Sequence, residues 1–365
     1  MFEWVPVIYY TNIYYITLFI VVAIIFTKCY ITPIHSVDNK RFTNTIGLGF
    51  LVFVIVYMGL RPVNGVFIDM TMYDYNFRRF QQDGLKYINS TDDLMFNYFT
   101  YVSSKIMTAS FYFLICSILY IVPLYLISKK WFKNYWFYSF LALVASFSFW
   151  SYGVNGIRNG IATSMFLLAV SRERLGWKLF WLIVAVNFHK TVLLPSVAFF
   201  VACICPQPKY FLFFWLLCIP MSLLLGNNIQ VLFAGVMNDT RAVDYLTNRN
   251  INGDQFSSTG FRWDFLIYSG CAVFAGWYYL YRLNYDDKFY RILYNTYLFS
   301  NAFWILVIKA NFSNRFAYLS WFLMAIIIFY PIIKHLVLPF QHRVIGYLLF
   351  AYFAFTFFMN VIIAN

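Results

Sequence analysis

Residues 179–204 read LFWLIVAVNFHKTVLLPSVAFFVACI, an apolar run broken once, at Asn187-Phe188-His189-Lys190. As one helix the run would hold His189 and Lys190 near mid-bilayer, where a charged lysine costs at least about 2.5 kcal/mol. As two short helices turning at His189 it would bring both residues towards the outer face. Every later connection then changes sides. The hairpin sends Lys209, Arg282, Lys288, Arg291, Lys334 and Arg343 to the cytoplasm, so that the short cytoplasmic connections are all basic, as the positive-inside rule asks.

Outward from that stretch, apolar blocks of helix-spanning length recur at roughly 5–28, 45–60, 111–127, 136–150, 157–170, 211–226, 263–281, 292–308, 316–333 and 344–363. With 62% hydrophobic and 11% charged residues and a mean hydropathy of +0.66, the chain falls outside the soluble globular range. Blocks this long suit helices and not the short alternating strands of a transmembrane barrel. The expected fold is an all-α polytopic membrane protein with about twelve transmembrane segments, including the short hairpin near 179–204. It forms one membrane domain over residues 1–365, with extracytoplasmic loops at about 61–110 and 227–262 and both termini outside. The first block follows Met1-Phe2-Glu3-Trp4 without a basic region and reads as a retained helix. Ser90-Thr91-Asp92-Asp93 reads as an N-cap with acids in the first turn of an amphipathic helix.

The formal charge of +13 reflects basic residues placed between apolar blocks, a topology signal; nucleic acid is not an expected partner. Cys29, Cys116, Cys203, Cys205, Cys218 and Cys271 lie in or beside apolar stretches and read as small helix residues, without metal or disulfide roles. No carboxylate cluster argues for a metal.

In this topology several polar groups share the outer side. They are Gly59-Leu60-Arg61-Pro62 with Asp69, Tyr73 and Asp74, Asn155 to Gly160 around Arg158, and Asn187 to Lys190. Arg241, Arg249 and Arg262-Trp263-Asp264 lie in or end the second loop, and Asn311 to Arg315 open a late helix. Each has a bland reading: an arginine at a helix end snorkels to lipid phosphates, an interfacial histidine is structural, and Asp264 pairs with Arg262 or caps its helix. Convergence favours a functional one. Arginine out of water binds phosphate oxygens bidentately without losing charge, and a histidine beside it exchanges a proton near neutral pH.

At these residues the chain resembles the EpsG-type polymerases of bacterial exopolysaccharide and capsule, relatives of the Wzy O-antigen polymerases. The resemblance covers most of the chain. It rests on Gly59-Leu60-Arg61 followed by Asp69 and Tyr73, on Arg158 with Gly160, on Phe188-His189, on Phe261-Arg262-Trp263-Asp264-Phe265 and on Asn314-Arg315-Phe316. The family's usual glycine before the aspartate is replaced, since Phe67-Ile68 precede Asp69, and the Arg249 to Gly260 spacing also fits a pattern of Wzy loops. The resemblance implies a fold like that of the multi-spanning C-type glycosyltransferases, in the bacterial plasma membrane. It implies transfer of a chain from undecaprenyl pyrophosphate to a hydroxyl of the next lipid-linked oligosaccharide, with no cofactor and with a chain-length regulator as a candidate partner. Such chemistry needs cations on the departing pyrophosphate and a base on the hydroxyl. Arg158 and Arg315 are assigned to the pyrophosphate, with Arg61 and Arg262 assisting and Tyr73 and Arg241 binding substrate. His189 is the first choice of base and Asp69 the second. A flippase of lipid-linked sugars and a membrane acyltransferase are the rival readings.

Overall fold

The computed structural model describes residues 4–84, 93–236, 260–311 and 313–363, and among these there are helices and no strand. Helices α1 (Val7–Ile31) and α2 (Val37–Gly59) are followed by a 3-10 turn at Gly65–Phe67, α3 (Met70–Asp83) and α4 (Leu94–Ile106). Next come α5 (Ala109–Phe132), α6 (Trp136–Val144), α7 (Phe149–Val154), α8 (Ile157–Val170), α9 (Leu175–Phe188), α10 (Leu193–Ile204) and α11 (Pro208–Val236). The chain ends with α12 (Trp263–Trp277), α13 (Lys288–Leu306), α14 (Ser313–Trp321), α15 (Met324–Lys334) and α16 (Gln341–Phe357).

Among the described residues six helical runs are long and apolar enough to cross a membrane: Val7–Ile31, Val37–Gly59, Ala109–Val144, Pro208–Gly226, Ser313–Lys334 and Gln341–Ile362. Shorter apolar helices lie at Ile157–Val170, Leu175–Phe188 and Lys190–Ile204. The run Ala109–Val144 is not one straight rod. Ser128 Oγ donates to Ser139 Oγ at 3.2 Å, and the Tyr125 and Trp136 rings meet at 4.9 Å. Residues 11 apart on a continuous helix would stand about 16 Å apart along its axis. The chain therefore reverses at Lys133, whose φ of 50° makes the corner.

The chain forms two compact units, Met1–Val192 with Ile332–Asn365, and Leu193–Pro331. In the first, Tyr10 and Tyr57 each donate to the other's main-chain carbonyl, at 2.6 and 2.9 Å, with their rings stacked 4.2 Å apart. The apolar block expected at 136–150 is interrupted: α6 stops at Val144 and α7 starts at Phe149. A helix can end inside the protein only if its carbonyls find donors. Thr356 Oγ1 supplies one, donating to Ala145 O at 2.9 Å.

The contacts also sort the first unit into two ends. At one, His35 meets Tyr135, Trp136 Nε1 donates to Asn44, and Lys130 Nζ donates to Ser171 O. At the other, Arg61 reaches Val154 and Asn155 reaches Asp69. The 23 residues of α2 separate them by about 34 Å. The basic connections around Lys40, Lys130 and Arg172 thus share one end, and Arg61, Asp69 and Asn155 share the opposite one.

In the second unit the interior is held by side-chain hydrogen bonds. Asn301 Oδ1 accepts from Trp215 Nε1 at 2.8 Å, while its amide nitrogen donates to Ser269 and Ser320. Trp321 Nε1 completes the set on Ser269 at 2.7 Å. Tyr279, Tyr290, Tyr294 and Tyr297 donate their hydroxyls to main-chain carbonyls. In lipid, where water cannot satisfy a polar group, such bonds fix which helix faces meet.

Candidate functional site

Arg61 follows the last turn of α2 and is 3% exposed. Its guanidinium donates to Met58 O at 2.5 Å and to Val154 O at 3.1 Å, between the rings of Phe67 and Phe113. It satisfies carbonyls that the ends of α2 and α7 leave open. Burial lowers its pKa to about 10, which still leaves it charged at neutral pH. Its Nε has no hydrogen-bond partner.

Asp69 precedes α3, and its backbone N–H donates to Asn155 Oδ1 at 3.0 Å. The residue before it, Ile68, has φ 46°, a left-handed conformation that glycine takes freely and a β-branched residue adopts only under strain. The sequence departs from the resembled pattern at Phe67-Ile68, yet the backbone keeps the turn that a glycine would serve. One turn into α3, the buried Tyr73 ring packs edge-on against Phe96 at 5.8 Å. Burial raises the phenol's pKa, and the Arg158 guanidinium beside it pulls the other way.

The centre of the cluster is Asp93. Its Oδ2 accepts from Arg158 at 2.9 Å and from His189 Nδ1 at 2.7 Å, and its Oδ1 accepts from the Lys190 backbone N–H at 3.1 Å. The Asp93 side chain is 6% exposed, Arg158 20% and His189 15%. Burial works to raise the Asp93 carboxyl, but the bond and charge of His189, the charge of Arg158 and the Lys190 N–H outweigh it. They hold the group below the ordinary carboxylate value. A carboxylate can only accept, so the bond to His189 places a proton on Nδ1; in the neutral ring the lone pair is then on Nε2.

Local structure explains how these groups meet. Arg158 sits in the first turn of α8, over the Phe96 ring. A side chain at Gly160 would lie 2.8 Å from Tyr152 O, so the glycine serves the close approach of α7 to α8. The expected interruption at His189 is present: α9 ends at Phe188, His189 is extended (φ −159°, ψ 119°), and Lys190–Val192 form a 3-10 turn before α10. Thr191 Oγ1 donates to Asn159 Oδ1 at 2.8 Å and ties the interruption to α8.

Asp93 is a site residue that sequence reasoning read only as part of an N-cap. It does precede α4, but its side chain makes no cap bond there. An acid beside an amphipathic helix, in a chain of 14 acids and 27 bases, is the available signal.

The second unit holds Arg262 and Arg315. Arg262 pairs with Asp264 through two contacts of 2.9 and 2.6 Å, one of the two bland readings of that aspartate, and lies 3.7 Å over the Phe265 ring. Arg315 is exposed in the first turn of α14. Arg241 and Arg249 lie outside the described residues, as do Ser90, Thr91 and Asp92. Of the expected residues, the structure thus gathers Arg61, Asp69, Tyr73, Arg158 and His189 at one end of the first unit. Among the described residues no three His, Cys, Asp or Glu side chains form a metal-ligand group, and all six cysteines are free.

No curated protein and no solved structure matches the chain. The sequence model of the EpsG family matches residues 44–365.

Proposed function

The chain belongs to the EpsG family, whose membership suggests a polysaccharide polymerase, and from that premise we propose the reaction it performs. It joins oligosaccharide repeat units carried on undecaprenyl pyrophosphate, at the extracytoplasmic face of the bacterial plasma membrane. A hydroxyl of the incoming unit attacks the anomeric carbon of the growing chain. As that bond forms, the bond from the anomeric carbon to the pyrophosphate oxygen breaks, and the oxygen leaves with the electron pair. His189 Nε2 takes the hydroxyl proton, and Asp93 holds the imidazole in the tautomer that can do so.

Arg158 stabilises the charge gathering on the pyrophosphate, with Arg315 as the second cation. Arg262 assists, and Tyr73 and Arg241 contribute to substrate binding. Arg61, whose two terminal nitrogens donate to main-chain carbonyls, assists by fixing the ends of α2 and α7 behind the site. Asp69 is the second candidate for the base.

The observation that carries the reading is the convergence of Arg158 and His189 on one oxygen of a buried carboxylate. A phosphate-binding cation and a proton acceptor are what the transfer needs within one substrate's reach. The extracytoplasmic placement, with about twelve segments and both termini outside, is supported by the separation of the cluster from the basic end of its unit. Reconstitution with a purified lipid-linked repeat unit tests the proposal. Ladder formation is expected, and its loss in a folded Arg158→Ala variant. Transbilayer movement of the unit without chain growth would overturn polymerisation in favour of a flippase.

A further inference from the structure

A groove of about 480 Å³ runs along the first unit between α5, α8 and α9, away from the cluster described above. Pro123 lies in its wall. Having no N–H, a proline leaves the carbonyl one turn earlier without its helical partner and opens the surface of its helix. Val122, Leu126 and Met165 make the groove apolar, and Trp177 and Trp181 of α9 line it too. Arg172 lines it at the end of α8, within the basic connection that also carries Arg174 and Lys178.

Acids are outnumbered by bases in this chain, 14 against 27, and among the described residues Arg172 is one of the bases without a counter-ion. Lys130, on the neighbouring helix, pairs with Glu173 at 3.1 Å, and Arg158 pairs with Asp93. Arg172 takes part in no ion pair among the described residues; its Nε donates to Leu168 O at 3.3 Å. A half-buried guanidinium without a counter-ion, in an apolar groove lined by two tryptophans, calls for an amphiphile with an anionic head and a long tail. Tryptophan favours the depth at which such a head meets its tail.

We propose that this groove binds one anionic phospholipid of the phosphatidylglycerol class, its phosphate on Arg172 and an acyl chain beside Val122 and Met165. One feature favours a bilayer phospholipid over the polyprenyl substrate: Arg172 lies at the end of the unit opposite Arg158 and His189. The bilayer surface beside basic connections is also where anionic lipids concentrate.

Native mass spectrometry of the full chain, titrated with phosphatidylglycerol or with phosphatidylcholine of the same tails, tests this. One phosphatidylglycerol is expected to bind in preference to phosphatidylcholine. Arg172→Gln should weaken it about fivefold, the worth of one surface cation. Val122→Trp, which fills the groove and leaves the cation in place, should abolish the bound species while the melting temperature in detergent is kept. It also decides the matter if Arg172→Gln fails to fold. Equal retention of the two lipids, or unchanged binding in Val122→Trp, would overturn the proposal. So would preferential retention of a polyprenyl phosphate.

Discussion

Two arginine–aspartate pairs, one in each unit, are made in opposite ways. Arg158 and Asp93 lie 65 residues apart in the chain and meet where only 6% of the aspartate side chain is exposed. Arg262 and Asp264 lie two residues apart, and 49% of that aspartate side chain is exposed. The first pair also recruits His189 and the Lys190 N–H, whereas the second lies over a phenylalanine of its own helix turn. In the buried cluster each charge was taken out of water and depends on its partners, so losing one strands the others. In the second pair Arg262 is 21% exposed, much like Arg158, but Asp264 stands half in the open, where an ion pair contributes less. Equal chemistry on paper therefore carries unequal weight in the two units.

The sharpest break in the comparison is functional. Arg158→Ala is expected to slow chain growth by about 10²- to 10³-fold, the usual effect of deleting a group that stabilises transition-state charge. Arg262→Ala is expected to slow it by less than about tenfold; initial rates of ladder formation would show the gap, and equal losses would erase it. Next comes stability. Asp93→Ala should destabilise the protein by about 3 kcal/mol, since it leaves a guanidinium and an imidazole without their acceptor. Asp264→Ala should cost under about 1 kcal/mol, and thermal unfolding in detergent compares the two.

The pH dependence sharpens the same contrast. The folded-state pKa of Asp93 is lowered, so its stabilisation is fully present above the unfolded value of about 4 and is lost as pH falls through the lowered one. The difference in melting temperature between the wild type and Asp93→Asn should close as pH falls below about 4. A gap left unchanged down to about pH 2 would contradict the charge assignment. The smallest effects belong to the residues leading into each region. Ile68→Gly should relieve a strained φ and stabilise by up to about 1 kcal/mol. Gly260→Ala, at φ 103°, should destabilise by a similar amount.

The same contrast explains what could be read in advance. The Arg262–Asp264 pair is local, so spacing alone could offer it, beside helix capping, as a reading of Asp264. The interruption at His189 was equally legible, because a histidine and lysine between two apolar runs break the pattern that a spanning helix needs. Asp93 was not legible as a site residue. Its neighbours, Ser90 to Asp92, make a persuasive helix start, and its partners lie 65 and 96 residues further on. Only the packing of α4, α8 and α9 brings them together. The stop of α6 at Val144 was hidden for a related reason. The apolar run continues past it, and the donor that makes the stop tolerable comes from Thr356, 211 residues away.

The shortness of α9 bears on the membrane itself. Its 14 residues reach about 21 Å, less than the roughly 30 Å of a typical hydrocarbon core. In the proposed topology, where α9 runs from the basic end to the cluster, the bilayer thins beside it or water follows the polar chain down to His189. Hydrophobic mismatch thus becomes a control on the reaction. In vesicles of increasing acyl-chain length, the polymerase should slow as thicker lipid closes over the helix end, without any change to the protein's own residues.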